Sequence, residues 1–263
     1  MRFCNKYSGS RGNLTLIDDG KTRLLIDCGG GIRSIKAALK KEALSIDDIG
    51  GVLITHEHTD HISALNSFVR ANKKAKIYVH QKGYNALTVR VPKAEDRIVC
   101  FEAPFVVDSY FVEFYPCSHD ASFCCGYKVT EEKGMSVASV TDTGKVDSSL
   151  IEFFKGCHTV LIESNHDEIM LKQGNYPYPL KRRILGDSGH LSNLQAGEVL
   201  STLPDINVKN AFLAHLSLEN NTEEIAFSTA LSSLSKVGAK EGKDINLFIA
   251  RQFCGGESII VKK

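Results

Sequence analysis

The sequence has no tryptophan, only three methionines, and no uninterrupted apolar run that approaches 18 residues. A membrane-spanning helix needs about 20 consecutive, mostly apolar residues, so none is expected and no membrane partner is predicted. The first residues, Met1 to Tyr7, lack the apolar stretch of a signal peptide. We therefore expect a cytoplasmic protein.

The chain also lacks an excess of either charge. It has 32 lysines and arginines against 31 acidic residues, a net charge of +1. No global field recruits nucleic acid, so such a partner would need a local basic patch. Eight cysteines are present but none form a Cys-x-x-Cys pair. In a chain of this length they indicate reduced thiols rather than a disulfide framework.

Apolar residues make up 43% and charged residues 24% of the chain, which is typical of a globular protein. Predicted strands and helices alternate in both halves, without a linker or a repeat. The sequence therefore predicts one α/β domain over residues 1–263. The segment 164–190, which contains two prolines, is predicted to be irregular. The pattern Ser192-x-x-Gln195 predicts a capped helix that extends to about Leu203.

The hexapeptide 56–61, His-Glu-His-Thr-Asp-His, carries most of the chemical information. It follows the short apolar run 51–55 and precedes the apolar-periodic stretch 62–69. This order predicts a buried strand, a turn and a helix. Four potential ligands in six residues cannot all reach one small ion. We expect two adjacent metal sites, each completed by ligands from elsewhere in the chain.

Further candidate ligands follow other apolar strands: Asp27, His119, Asp142 and His215. Their shared position at strand ends predicts that they converge at one edge of the sheets. Sets of imidazole nitrogens and carboxylate oxygens suit zinc, manganese or iron(II).

The pattern His-x-His-x-Asp-His after an apolar strand resembles the signature of the metallo-β-lactamase-fold hydrolases. The resemblance implies an αββα sandwich, in which two mixed sheets pack face to face with helices outside. It also implies two divalent ions. His56, His58 and His119 would bind one ion, Asp60, His61 and His215 would bind the second, and Asp142 would bridge them. Asp27 would support the ligand turn.

A second, more specific resemblance covers nearly the whole chain. The segments 161–167, 176–183 and 186–193 resemble the bacterial YycJ (WalJ) group, and so does the stretch 8–13, although Arg11 stands where serine is more usual. That group is related to the RNase Z enzymes and is associated with 5′-to-3′ exonuclease action on DNA. The resemblance implies a phosphodiesterase in which a metal-bridging hydroxide attacks the phosphorus.

The candidate catalytic residues are Asp60, His190 and Glu163. His190 lies just before a predicted helix N-terminus, where backbone N–H groups favour an anion. An imidazole there could protonate a leaving oxygen as a general acid, and Glu163 could orient it.

Contacts with the DNA backbone are predicted for five residues of the same region. These are Lys181, Arg182, Arg183, Ser192 and Asn193. Arginine forks suit phosphate oxygens, but a solvated run of charges explains the basic cluster equally well. Tyr176 and Tyr178 could stack on a base or pack within a loop.

Two other functions remain open from the sequence. A small-molecule hydrolase of a cyclic phosphodiester or a thioester would share the paired metal site. A non-catalytic binding module on the same fold would not need all of the ligands, and here none is substituted.

Overall fold

The apolar runs of the sequence form strands that build two sheets. The computed structural model describes residues 1–252 and 256–262 of the chain, and within them there are two seven-stranded sheets. In chain order the strands are β1 (Arg2–Tyr7), β2 (Leu14–Asp18), β3 (Arg23–Ile26), β4 (Gly51–Leu53), β5 (Lys76–His80), β6 (Ile98–Phe101), β7 (Phe105–Val107), β8 (Tyr110–Pro116), β9 (Cys125–Glu131), β10 (Ser136–Val140), β11 (Thr159–Glu163), β12 (Asn210–Ala214), β13 (Asn246–Ile249) and β14 (Ser258–Ile260).

Helices connect the strands and cover the outer faces of both sheets. They are α1 (Ile32–Lys41), α2 (Thr59–Ile62), α3 (Leu65–Ala71), α4 (Tyr84–Arg90), α5 (Ser148–Phe154), α6 (Glu168–Gln173), α7 (Tyr178–Leu185), α8 (Asn193–Thr202) and α9 (Glu223–Lys236). Short 3₁₀ turns occur at Ile46–Asp48, Gln81–Gly83, Pro92–Arg97 and Pro204–Ile206. None of the helices in the described ranges combines the length and apolar character needed to cross a membrane.

The two sheets have the same internal plan. The first has the order β14-β1-β2-β3-β4-β5-β6 and the second the order β13-β12-β11-β10-β9-β8-β7. In each sheet, half of the strand pairs are antiparallel and the other half are parallel. Parallel neighbours end at the same edge of a sheet, so the side chains that follow them are brought together there.

The central strands of each sheet are buried on both faces. Phe3, Leu53, Tyr127 and Phe212 belong to an apolar cluster that joins the two sheets. A second cluster lies between the first sheet and α1 and α3, and a third lies between the second sheet and α8 and α9. Burial on both faces explains why the strands read as continuous apolar runs rather than alternating ones. The predicted αββα sandwich is confirmed.

The prediction that residues 164–190 are irregular is wrong, because this segment contains α6 and α7. Asp167 caps α6 by accepting a hydrogen bond from the backbone N–H of Met170 at 2.8 Å. Pro177 precedes α7, and Pro179 lies in its first turn. Proline is tolerated there, since the first N–H groups of a helix have no partner within it.

The helix predicted after the ligand turn is interrupted. α2 ends at Ile62 and α3 begins at Leu65. The carbonyl of His61 accepts a hydrogen bond from the backbone N–H of Cys28 at 2.7 Å, and Ala64 donates to the carbonyl of Cys28 at 3.0 Å. These long-range bonds replace those that would continue the helix. They tie the ligand turn to the loop that follows β3.

Candidate metal centre

Side chains suited to metal binding lie where strands of both sheets end. The strands concerned are β3 (followed by Asp27), β4 (followed by His56, His58, Asp60 and His61), β8 (followed by His119), β10 (followed by Asp142), β11 (ending at Glu163) and β12 (followed by His215). β3 is parallel to β4, and β10, β11 and β12 are parallel to each other. The structure brings all of these residues into one cluster, at the edge that their positions predicted.

Three histidines form the first donor group. Nitrogen atoms of His56, His58 and His119 lie within 4.8 Å of one another. The ring centroids of His56 and His58 are 4.6 Å apart, and each of these rings is 5.2 Å from the ring of His119. Three imidazoles that face a common point could hold one divalent ion.

Asp60, His61 and His215 form the second donor group, with ligand atoms again within 4.8 Å of one another. Asp142 lies between the two groups. Its Oδ2 is 3.2 Å from Nε2 of His61, and its Oδ1 is 3.8 Å from Nε2 of His119. A carboxylate in this position could contact ions in both groups.

Two buried atoms of the cluster have no hydrogen-bond partner among the described residues. They are Nε2 of His56 and Oδ2 of Asp142, whose 3.2 Å contact with Nε2 of His61 is an ion-pair contact and not a hydrogen bond. Both side chains are almost fully buried. An unpaired polar atom in the interior costs about 1–3 kcal/mol, so such atoms indicate a ligand that satisfies them. Nitrogen and carboxylate donors of this kind fit a divalent metal ion.

Three residues of the cluster have a left-handed backbone. The φ angles are 62° at Asp27, 58° at Asp142 and 57° at His215. Side chains other than glycine rarely adopt this region, although aspartate, asparagine and histidine do so most readily. The sharp turn after each strand aims the side chain at the sheet edge, and the surrounding contacts must hold this conformation in place.

Asp27 supports the ligand turn through two neighbours. Its Oδ2 is 2.7 Å from Nδ1 of His61, and its Oδ1 accepts hydrogen bonds from the backbone N–H and the hydroxyl of Thr55 at 2.9 and 3.0 Å. Because Nδ1 of His61 is engaged by Asp27, Nε2 is the nitrogen that faces Asp60 and Asp142. Such a carboxylate fixes the orientation of a ligating imidazole.

Asn13 is a site residue that the sequence did not single out. Its side-chain amide lies 3.1 Å from Oδ2 of Asp60 and 3.0 Å from Nε2 of His61, and its backbone N–H donates to the carbonyl of Asp60 at 2.9 Å. Gly29 allows this approach: a Cβ atom at that position would lie 1.7 Å from the carbonyl oxygen of Asp60. In the sequence, the stretch 8–13 stood out only as part of the resemblance to the YycJ group, without a role for Asn13.

The charges of the cluster depend on one another. Burial lowers the pKa of His56 well below its usual range, which favours the neutral imidazole that binds metals. Burial alone would raise the pKa of Asp142, but the neighbouring His215 and His61 outweigh it and hold this pKa well below its usual range. The buried carboxylate of Asp142 therefore stays ionised and requires positive charge beside it, which a divalent ion can supply.

Glu163 connects His190 to the cluster. Its Oε1 lies 2.8 Å from Nδ1 of His190 and 2.8 Å from Nδ1 of His215. Its Oε2 accepts hydrogen bonds from the backbone N–H groups of Thr143 and Leu191, each at 3.1 Å. Burial opposes ionisation, but His190 outweighs it and lowers the pKa of Glu163 to about 2. The contact between Glu163 and His190 that the sequence suggested is present.

The three basic residues of α7 differ in their contacts. Arg183 forms a two-pronged ion pair with Asp120, one arm of which measures 3.0 Å, and Asp120 lies 3.4 Å from Nε2 of His119. Lys181 donates to the backbone carbonyl of Lys172 at 2.8 Å. Arg182 is exposed and forms no ion pair within residues 1–252 and 256–262. Arg183 thus fastens α7 to the loop that carries His119.

Ser192 and Asn193 do not lie where a DNA backbone could reach their side chains. Ser192 is 1% exposed and accepts a hydrogen bond from the backbone N–H of Gln195, which completes the predicted capping box. Asn193 is 3% exposed, and its side chain bonds with Ser164 and Asn221. Their assignment to phosphate binding is corrected: both stabilise the start of α8 and its neighbours.

Buried imidazoles and carboxylates in two donor groups, joined by one aspartate, define the centre of a metallohydrolase. The model of the beta-lactamase superfamily domain matches residues 22–216, and the chain belongs to this family. This chain is 34% identical to the exodeoxyribonuclease YycJ of Bacillus anthracis, over 92% of each chain. The exodeoxyribonuclease WalJ of Streptococcus pneumoniae is 30% identical over 92% of this chain and 91% of its own.

Solved structures share the fold over nearly the whole chain. The metallo-beta-lactamase fold protein YhfI of Bacillus subtilis has a TM-score of 0.72, with 18% identity over 98% of each chain. The short form of human tRNase Z has a TM-score of 0.66, with 15% identity over the full length of both. The fold inferred from the sequence is confirmed, and so is the resemblance to the YycJ and WalJ group.

Proposed function

We propose that this chain is a divalent-metal-dependent exodeoxyribonuclease that hydrolyses phosphodiesters from the 5′ end of DNA. The observation that carries the proposal is the pair of donor groups that share Asp142, beside a histidine held by a buried glutamate. The relatives named exodeoxyribonucleases cover 92% of the chain, which supports DNA as the substrate. Residues 1–263 would form one catalytic domain.

Two ions would be held by seven residues. His56, His58 and His119 would hold one, Asp60, His61 and His215 the other, and Asp142 would contact both. Zinc, manganese and iron(II) all suit such nitrogen and oxygen donors. Paired divalent ions activate water at neutral pH and stabilise negative charge on phosphoryl oxygens.

His190 would give a proton to the oxygen that leaves phosphorus. Glu163 accepts from its Nδ1 nitrogen, so the Nε2 nitrogen on the other side of the ring is the one that can act on a substrate. Burial opposes a charged imidazole, but Glu163 outweighs it and raises the pKa of His190. Its side chain is 16% exposed, which allows contact with a substrate from outside. A positioned acid of this kind accounts for about 10²–10⁴-fold of the rate.

The DNA backbone would meet α7 beside the centre. Arg182 is exposed, and Lys181 lies next to it with a partly exposed side chain. Cationic side chains near a catalytic edge attract phosphates without reading bases. The described cysteines are all free thiols, which agrees with action in the reducing cytoplasm, where we expect the protein to work.

The salt dependence of substrate binding tests this proposal against a small-molecule hydrolase. With two phosphate contacts, raising salt from about 50 to about 200 mM should weaken DNA binding roughly tenfold. Substitution Arg182→Ala should reduce the slope of log affinity against log salt by about one. KM for duplex DNA, measured at several salt concentrations, gives both values.

The matched control is Arg90→Ala. Arg90 is also an exposed helical arginine, but it belongs to α4, which packs against the first sheet. This variant should keep the wild-type slope. A wild-type protein that hydrolyses small phosphodiesters or thioesters, with no turnover of DNA at any salt concentration, would contradict the proposal.

A further inference from the structure

A pocket of about 160 Å³ opens directly beside the candidate metal centre. His190 and His215 border it at the centre, so whatever fills it touches the reacting groups. The other walls come from α7 and the segment before it, and from the loops after β11 and β12. They include Asn165, Tyr176, Leu180, Ile184 and Leu216.

The size of the pocket suits a single ring. A cavity of about 150 Å³ is known to hold one benzene molecule, so a pocket of this volume has room for one base ring. Besides the two histidines, its walls combine the ring of Tyr176 and three aliphatic side chains with polar residues, which are Ser10, Asn165, Arg183 and Ser217. Base stacking on an aromatic side chain is largely independent of sequence, which suits a nuclease that must accept any nucleotide.

The position of His190 decides which nucleotide occupies the pocket. In hydrolysis from the 5′ end, the oxygen of water bonds to phosphorus and the bond from phosphorus to the 3′-oxygen of the first nucleotide breaks. That 3′-oxygen takes the proton from His190, and the second nucleotide keeps the phosphate. The leaving oxygen belongs to the first nucleotide, so its sugar and base lie on the side of His190, where the pocket is.

We propose that this pocket binds the base of the 5′-terminal nucleotide and that Tyr176 stacks on it. This inference rests on the proposed function and adds the subsite that positions the chain end. It makes Tyr176 a determinant of substrate binding. Tyr178 offers an internal comparison, because it lies two residues away, is 73% exposed and does not line the pocket.

The test compares Tyr176→Ala, Tyr176→Phe and Tyr178→Ala in the manganese-loaded enzyme on duplex DNA. Tyr176→Ala should raise KM about 10- to 100-fold, because a base stacked on an aromatic ring contributes that much to affinity. Tyr176→Phe keeps the ring and should restore KM to within about threefold of wild type. Equal KM values for Tyr176→Ala and Tyr178→Ala would overturn the inference.

A substrate without a 5′-terminal base tests contact directly. On DNA whose first residue is abasic, wild-type KM should rise to the value of Tyr176→Ala, and the substitution should add less than about twofold. With an abasic residue at the third position instead, the KM of Tyr176→Ala should exceed the wild-type KM by the same factor as on intact DNA. Additive effects of the substitution and the 5′-abasic residue would show that Tyr176 does not touch this base.

These outcomes separate the pocket from the proposed function. Wild-type digestion of DNA from the 5′ end, with no effect specific to Tyr176, would remove the pocket inference and leave the nuclease intact. Absence of DNA hydrolysis by the wild type, with turnover of bis(4-nitrophenyl) phosphate retained, would instead remove the proposed function and the pocket inference with it.

Discussion

Substitution Asp142→Asn is expected to lower DNA hydrolysis on the order of 10⁴-fold, the size of loss seen when a central catalytic group is removed. Asp142 lies between the two donor groups, 3.2 Å from His61 and 3.8 Å from His119. Asparagine preserves its shape and tolerates its left-handed backbone, with φ of 58°. The variant should therefore fold but retain fewer than two ions per chain.

Metal content after dialysis against manganese and the turnover of duplex DNA measure the two effects of Asp142→Asn. Thermal unfolding of the metal-free protein reports whether the fold is kept. Asp205→Asn is the matched control, because Asp205 is exposed before β12, at the opposite end of that strand from His215. Two retained ions and turnover within tenfold of wild type would exclude Asp142 as the shared ligand.

Substitution His190→Ala should slow DNA hydrolysis about 10²–10⁴-fold while both ions remain bound. His190 lies outside the two proposed ligand sets, although it forms a further cluster of possible ligands with Asp142, Glu163 and His215, and its Nδ1 nitrogen lies 2.8 Å from Glu163. In the proposed mechanism the imidazole acts on the leaving oxygen, and the ions keep their seven ligands without it. Metal content and single-turnover rates measured on the same preparation separate these roles.

A change of leaving group sharpens the test of His190. A 4-nitrophenyl ester of thymidine 5′-monophosphate releases an oxygen that departs without a proton, so His190→Ala should lose less than about tenfold on it. The loss on DNA should be much larger. Equal losses on the two substrates would show that His190 does not serve as the acid.

The ligand turn could be inferred from the sequence because its information is local. Three histidines and an aspartate in six residues follow one buried strand, and parallel strands bring Asp142 and His215 to the same edge. Strand ends place side chains by topology alone. The fold and the composition of the cluster therefore follow from short patterns.

Contacts made by distant loops could not be inferred in the same way. Asn13 reaches Asp60 because Gly29 lets two backbones approach, and Arg183 pairs with Asp120 across the mouth of the centre. Neither contact produces a periodic pattern in the sequence from which it could be predicted. Ser192 gave two competing signals, a helix cap and a phosphate contact, and its one hydroxyl is used by the cap.

α6 and α7 were missed because prolines were interpreted as breaks. Pro177 and Pro179 instead stand at the start of α7, where proline fits. This error matters for function, since α7 carries Leu180 and Ile184 of the pocket beside His190. With this segment interpreted as irregular, the pocket walls that α7 forms could not be predicted from the sequence.

Exonuclease activity from the 5′ end is tested most directly by digestion of duplex DNA labelled at either the 5′ or the 3′ end by the manganese-loaded protein, with Asp142→Asn as control. We expect immediate release of labelled mononucleotide from the 5′ end, late loss of the 3′ label, and no release by the variant. Release from the 3′ end first, internal cuts without mononucleotides, or equal activity of the variant would contradict this expectation.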